Sequence, residues 1–204
     1  MTTEYTYDPA AAQRADEAAS RLEHAVPYVG SFKKASAITA KTGSTGIELE
    51  FDAPGQGQIA FSLYTRKADG TPIFGANFLN AFMFFFGLKS LKSVPGKVTV
   101  WDEEAKKRLE QDGEVYPELC NKPIGLVFQK ELYTKEKGGG DGERLNLIGV
   151  FQPETRLMFS EVQDRKQKPE KLAKMLTTLR VKDTREKGAT EAAQPSMGAP
   201  AGDY

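Results

Sequence analysis

Three carboxylates, Glu48, Glu50 and Asp52, alternate with Ile47, Leu49 and Phe51. A period of two puts all three on one face of a strand. Carboxylates so placed can hold Mg²⁺, as in metal-dependent nucleases, and the same spacing describes the solvated face of a half-buried strand. Other catalytic groups are sparse. His24 is the single histidine and Cys120 the single cysteine, far apart in the chain, so neither a Cys/His pair nor a zinc spacing exists. A Ser-His-Asp arrangement would need His24, which has no motif around it. No phosphate-binding glycine motif is present. Gly138-Gly139-Gly140 lacks a following Lys-Ser/Thr and reads as a hairpin loop. The residue types point away from an enzyme and from any cofactor.

A different chemistry is better represented. Proteins that bind single-stranded nucleic acid combine a basic track for phosphates with flat rings on which bases stack. Tyr64 and Arg66 share the face opposite Ile59, Phe61 and Leu63, and Lys67 follows at the turn. Lys130, Tyr133 and Lys135 lie along a second strand, with Lys137 and Arg144 flanking its Gly-rich loop. Lys33, Lys34 and Lys41 extend the basic track, and Trp101 ends a short strand where it can stack or cap. Lys106, Lys107 and Arg108 alternate with Glu103, Glu104 and Glu110 and read as a solvated helix face. Lys166, Lys168, Lys171 and Lys174 read equally as a phosphate surface or a solvated helix.

The elements that must position these residues follow from periodicity. Residues 10–26 read as an amphipathic helix stopped by Pro27 and Gly30. A weak strand covers 33–41, and alternating strands flank the Pro54-Gly55-Gln56-Gly57 loop. The Asp69-Gly70 turn joins the second of these to a short strand at 73–75. Residues 77–88 switch to helical spacing through Phe78, Phe82 and Phe85, with Asn77 as cap and Gly87 as stop. Val98 and Val100 mark a strand, and Asp102 caps a charged helix, EEAKKRLEQ. Residues 123–134 and 144–151 form a long hairpin, and 169–180 a helix opened by Pro169. The sum is a mainly β chain with helices, an OB-like five-stranded barrel. It divides into a helical extension (1–30), the barrel domain (31–182) and a disordered tail (183–204).

Composition sets bounds. The chain has 204 residues, with 28 basic and 28 acidic side chains, so bulk charge does not drive it onto duplex DNA. The distribution is uneven: 121–187 is basic, and both ends are acidic. A lone cysteine and an N-terminus without a basic or apolar leader segment fit a cytoplasmic protein. The longest apolar run, Phe82–Gly87, is far shorter than a membrane span.

Residues 30–176 resemble the OB-fold single-stranded-DNA-binding proteins of bacteriophages. The resemblance is carried by TGIELEFD, by GTPIFGANFLNAFMFFFGL, and above all by LCNKPIGLVFQKELYTKEKGGGDGERLNLIGVFQPET. That last segment opens on Leu-x-x-Lys-Pro-x-Gly, runs through a long strand and a Gly-rich charged loop, and returns. The resemblance implies DNA replication, recombination or repair in a bacterial host, without strong sequence preference. It implies a tail that recruits replication proteins through a terminal acid and aromatic, here Asp203 and Tyr204, and a possible homodimer. The alternatives are a protein-interaction module, such as a virion or inhibitor protein on the same barrel, and the Mg²⁺ nuclease.

Overall fold

The computed structural model describes residues 7, 9, 22–102, 106–135 and 140–185. The expected tail beyond 185 and the helix over 10–21 lie outside them. The described elements are β1 (Pro27–Thr39), β2 (Thr45–Ala53), β3 (Gly57–Arg66), α1 (Gly75–Phe85), β4 (Val94–Asp102) and β5 (Lys107–Val115). After a 3-10 turn at Pro117–Leu119 come β6 (Pro123–Thr134), β7 (Asp141–Phe151), α2 (Phe159–Gln163), α3 (Glu170–Thr178) and β8 (Lys182–Asp183). No described helix is long and apolar enough to cross a membrane.

The protein is mainly β with a few helices, and its described strands form one sheet. Its main path runs β3-β2-β1-β5-β4, and β6 branches from β1 to pair with β7 and β8. All pairs are antiparallel except β6 with β8. Among the described residues no ladder joins β3 to β7, so the sheet stays open where the expected five-stranded barrel would close.

The core sits between the β1–β2–β3 layer, β6 and α1. Phe32, Phe51, Phe82 and Phe128 are fully buried. Their rings meet edge to face or tilted, with centroids 5.0 Å apart for Phe32–Phe82 and 5.9 Å for Phe32–Phe51. Such contacts add to the ~1.5–3 kcal/mol that burying each ring contributes. α1 is apolar almost all round, and Phe78, Leu79, Phe85 and Phe86 pack partly against the same core. It starts two residues before the expected cap: Phe74 takes the cap position and makes no side-chain cap bond, whereas Gly87 ends it in the left-handed region, φ 68°. A side chain at Gly75 would collide with the Tyr64 carbonyl oxygen, so glycine lets α1 begin directly against β3. A second cluster, Val127, Phe151 and Leu172, holds α3 onto the sheet. Buried Glu161 links α2 to α3 by accepting the backbone N–H groups of Met158 and Lys171 at 2.9 and 2.7 Å.

Three expected elements are corrected. The charged helix expected over 103–111 is not formed in its described residues, 106–111: Lys107–Val115 is strand β5, paired with β4 from Asp102↔Lys107 to Val94↔Val115. Leu109 is the one apolar residue of EEAKKRLEQ outside its alanine, so a helix there would have no face to bury. The ladder to Val98 and Val100 overrides local propensity. Residues 22–26 are not helical either. Ala25 has φ 59° and donates its N–H to the Phe128 carbonyl at 3.1 Å, which lays the segment along β6 with Leu22 buried. The short strand at 73–75 reduces to a bridge between Arg66 and Pro72. Phe82→Ala should cost about 3–5 kcal/mol in chemical denaturation, because its ring fills the junction of α1 and β1.

Candidate nucleic-acid interface

The sequence-predicted residues fall into three groups. The first lies at the end of β3. Alternation on β3 turns Ile59, Phe61 and Leu63 inward and leaves Tyr64 and Arg66 exposed on the outer face. Lys67 opens the next turn, where Arg66 Nη1 donates to the Gly70 carbonyl at 3.1 Å. Lys41 sits on the β1–β2 turn, and the two turns touch: a Cβ on Gly43 would lie 2.8 Å from that of Ala68. Lys41, Arg66 and Lys67 form no ion pair among the described residues; Arg66 shares the exposed face of β3 with Tyr64, and Lys41 and Lys67 lie in the two touching turns at that end.

The second group is on the β6–β7 hairpin. Tyr133 and Arg144 share a face, with the guanidinium 5.1 Å from the ring centroid, a cation–π contact. Lys135 is exposed at the loop, whose closure is the Lys135 N–H to Gly140 carbonyl bond, 3.0 Å. Lys130 points to the opposite face and pairs with Glu143 at 3.1 Å.

The third group is spent internally. Lys33 pairs with Asp52 at 3.5 Å and Lys34 with Glu50 at 3.4 Å. These pairs lie across the β1–β2 ladder. They neutralise two of the three alternating carboxylates, and among the described residues no three acidic, His or Cys groups converge to hold a metal ion. Lys97, Glu48 and Glu110 share the cleft between this face and the β4–β5 hairpin, which is therefore mixed in sign rather than basic. Burial pushes the Cys120 thiol up, away from nucleophilic thiolate. The Trp101 side chain, Lys137, Asp203 and Tyr204 lie outside the described residues. Lys106 and Lys107 are exposed in the β4–β5 turn and the start of β5 rather than on a helix, and Lys166 pairs with Glu170 at 2.8 Å.

Sequence reasoning missed the residue that organises the second group. Glu131, 3% exposed, accepts from Arg144 Nε at 2.9 Å, Asn146 Nδ2 at 2.6 Å, Lys182 Nζ at 3.0 Å and Thr184 Oγ1 at 3.2 Å. One carboxylate thus sets Arg144 beside Tyr133 and fastens β8 to β6. The Arg144 bond, helped by Lys182 and Asn146, holds its carboxyl down at about 2 against the effect of burial. The available signal was a lone acid inside the apolar run of PIGLVFQKELYT, but nothing local names its partners.

No protein-family model, curated protein or solved structure matches the chain.

Glu131 is depressed in the folded state, so its contribution to stability is complete above its ordinary value of 4.5. It is lost as pH falls from there toward about 2. Thermal melts from neutral pH down to acid should show the native protein losing stability in that window and Glu131→Gln changing less. At neutral pH Glu131→Gln should cost about 2 kcal/mol, because two cations lose their buried counter-charge while staying half in solvent.

Proposed function

We propose that this protein binds single-stranded DNA, through phosphate tracking and base stacking rather than sequence readout, in the replication, recombination or repair of DNA. The observation that carries the reading is that exposed Tyr64 and Arg66 share the outer face of β3 beside the two touching turns that hold Lys41 and Lys67, cations with no ion pair among the described residues. In support, the path β7-β6-β1-β2-β3, with α1 following β3, fits the strand order of an OB fold, and the open edges of β3 and β7 are those that would meet to close such a barrel. OB folds bind oligonucleotides on the face of their second and third strands, between the loop joining the first two strands and the loop joining the last two. Here those parts are the outer face of β3, the turn with Lys41, and the hairpin with Tyr133, Lys135 and Arg144. Between the two groups β3 exposes Gln58, Ala60 and Ser62, which face Asp52, Glu50 and Glu48 across the β2–β3 ladder, with Asp52 and Glu50 neutralised by Lys33 and Lys34.

A protein-interaction role is the second reading. It is favoured by a cleft of about 680 Å³ between α1, β7, α2 and α3, in which Phe78, Met158 and Met175 line the walls. At its rim Phe159 is 44% exposed and meets Phe84 at 4.7 Å. The two readings occupy different faces.

The test is fluorescence anisotropy with labelled oligo-dT and a matched duplex at two salt concentrations. The single strand should bind preferentially, with affinity falling as salt rises. Changing Lys41, Arg66 and Lys67 together to Ala should flatten the logarithmic salt slope by about 2, at roughly 0.7 per phosphate contact. Tyr64→Ala should cost about 1–3 kcal/mol of binding. A folded triple variant with unchanged affinity and slope would leave the protein-interaction reading in place.

A further inference from the structure

The open seam between β3 and β7 encloses a cleft of about 590 Å³, a volume within the range of small-ligand sites. Leu22, Ile59, Leu145 and Val181 supply apolar lining. Polar groups stand among them. The Lys130 N–H donates to His24 Nδ1 at 3.3 Å, which in the neutral ring leaves the proton on Nε2 as a donor. Gln58 brings an amide able to donate and accept at once, and it has no described hydrogen-bond partner. The charges balance, with Lys130 and Arg144 against Glu23 and Glu143.

We infer that this cleft is a pocket for one unstacked nucleobase of the bound strand. The inference rests on the single-strand reading and deepens it by assigning a ligand to a site off the outer face. A base is flat, apolar on its two faces, polar at its edge and neutral, and the cleft offers apolar side chains, an amide, an imidazole and balanced charge. The apolar lining meets the faces. The Gln58 amide meets the donor–acceptor edge, as side-chain amides do when they read bases. His24 supplies a further donor. The balance of charge disfavours a phosphate inside. Arg144 lines the cleft and also stands over Tyr133, so it joins the pocket to the outer track where phosphates run. A strand crossing from Tyr133 toward Tyr64 along β3 passes the cleft at Gln58, the residue with which the exposed face of β3 begins.

His24 is the only histidine in the chain, so its imidazole gives one unambiguous set of NMR signals. The full-length protein is titrated at one fixed pH with thymidine, with deoxyadenosine and with deoxyribose 5-phosphate. In parallel, oligo-dT binding is followed by anisotropy. Both nucleosides should shift the His24 signals to saturation, while the sugar phosphate at equal concentration leaves them in place. Gln58→Ala, an exposed substitution that leaves the core intact, should weaken the nucleoside titration about tenfold. Oligo-dT binding with a silent imidazole, or with equal shifts from sugar phosphate, overturns the pocket and leaves the single-strand reading standing. Absence of binding by nucleosides and oligo-dT alike overturns both.

Discussion

β1 serves three partners, and the shape of the protein follows from that. Residues 27–31 pair with β6, residues 31–39 with β2, and Ser36 with Val115 of β5. A strand that feeds two diverging ladders must turn, and β1 does so at a register shift between Phe32 and Lys34. Gly30 stands just before it, where any side chain would run into the Asp52 backbone and the Phe51 ring. Phe32, fully buried, then projects into the angle of the bend and meets Phe51, Phe61, Phe82 and Phe86. The same bend carries β6 and its hairpin away from β2 and β3, which creates both the core and the seam.

The sequence marks cations, but the fold decides which remain available to a ligand. Lys33 and Lys34 differ from Lys41 only in position along one strand and the turn after it. Two of them face the carboxylates of β2 across a ladder, and the third reaches past the end of the ladder. Arg144 is an intermediate case. Its Nε is committed to buried Glu131, and that commitment fixes the direction of the rest of the guanidinium. A chain with equal numbers of positive and negative side chains therefore still leaves some cations without an ion pair among the described residues, because its neutralisation is local.

Legibility tracked how local each signal is. The alternation of 47–52 and 59–64, the apolar run of 123–134 and the Pro169 start of α3 are written within a few residues, and those elements are where periodicity puts them. The β4–β5 hairpin carries a helical signal in its second strand because Glu, Ala, Lys and Arg favour helix locally, while its strand state depends on Val98 and Val100. The Lys41, Tyr64 and Arg66 group was legible as residue types, but not as a group, since nothing in the sequence says that the turns after β1 and β3 touch. Glu131 and the Gln58–His24 cleft were out of reach for the same reason: their partners come from elsewhere in the chain, for Glu131 13 residues away at Arg144 and 53 at Thr184.

The β4–β5 hairpin joins the rest of the sheet through one residue pair, Ser36↔Val115, and the Tyr116 N–H to Ala35 carbonyl bond beside it. Its two strands share nine facing pairs with each other, and Val100 and Leu109 keep two-fifths of their surface in solvent. Such a piece is a cooperative unit of its own. It can open and re-form without disturbing the Phe32 core, at a free energy well below that of global unfolding. The backbone amides along it should therefore exchange with water at a lower free energy than those of the β1–β2 and β1–β6 ladders that surround the Phe32 core.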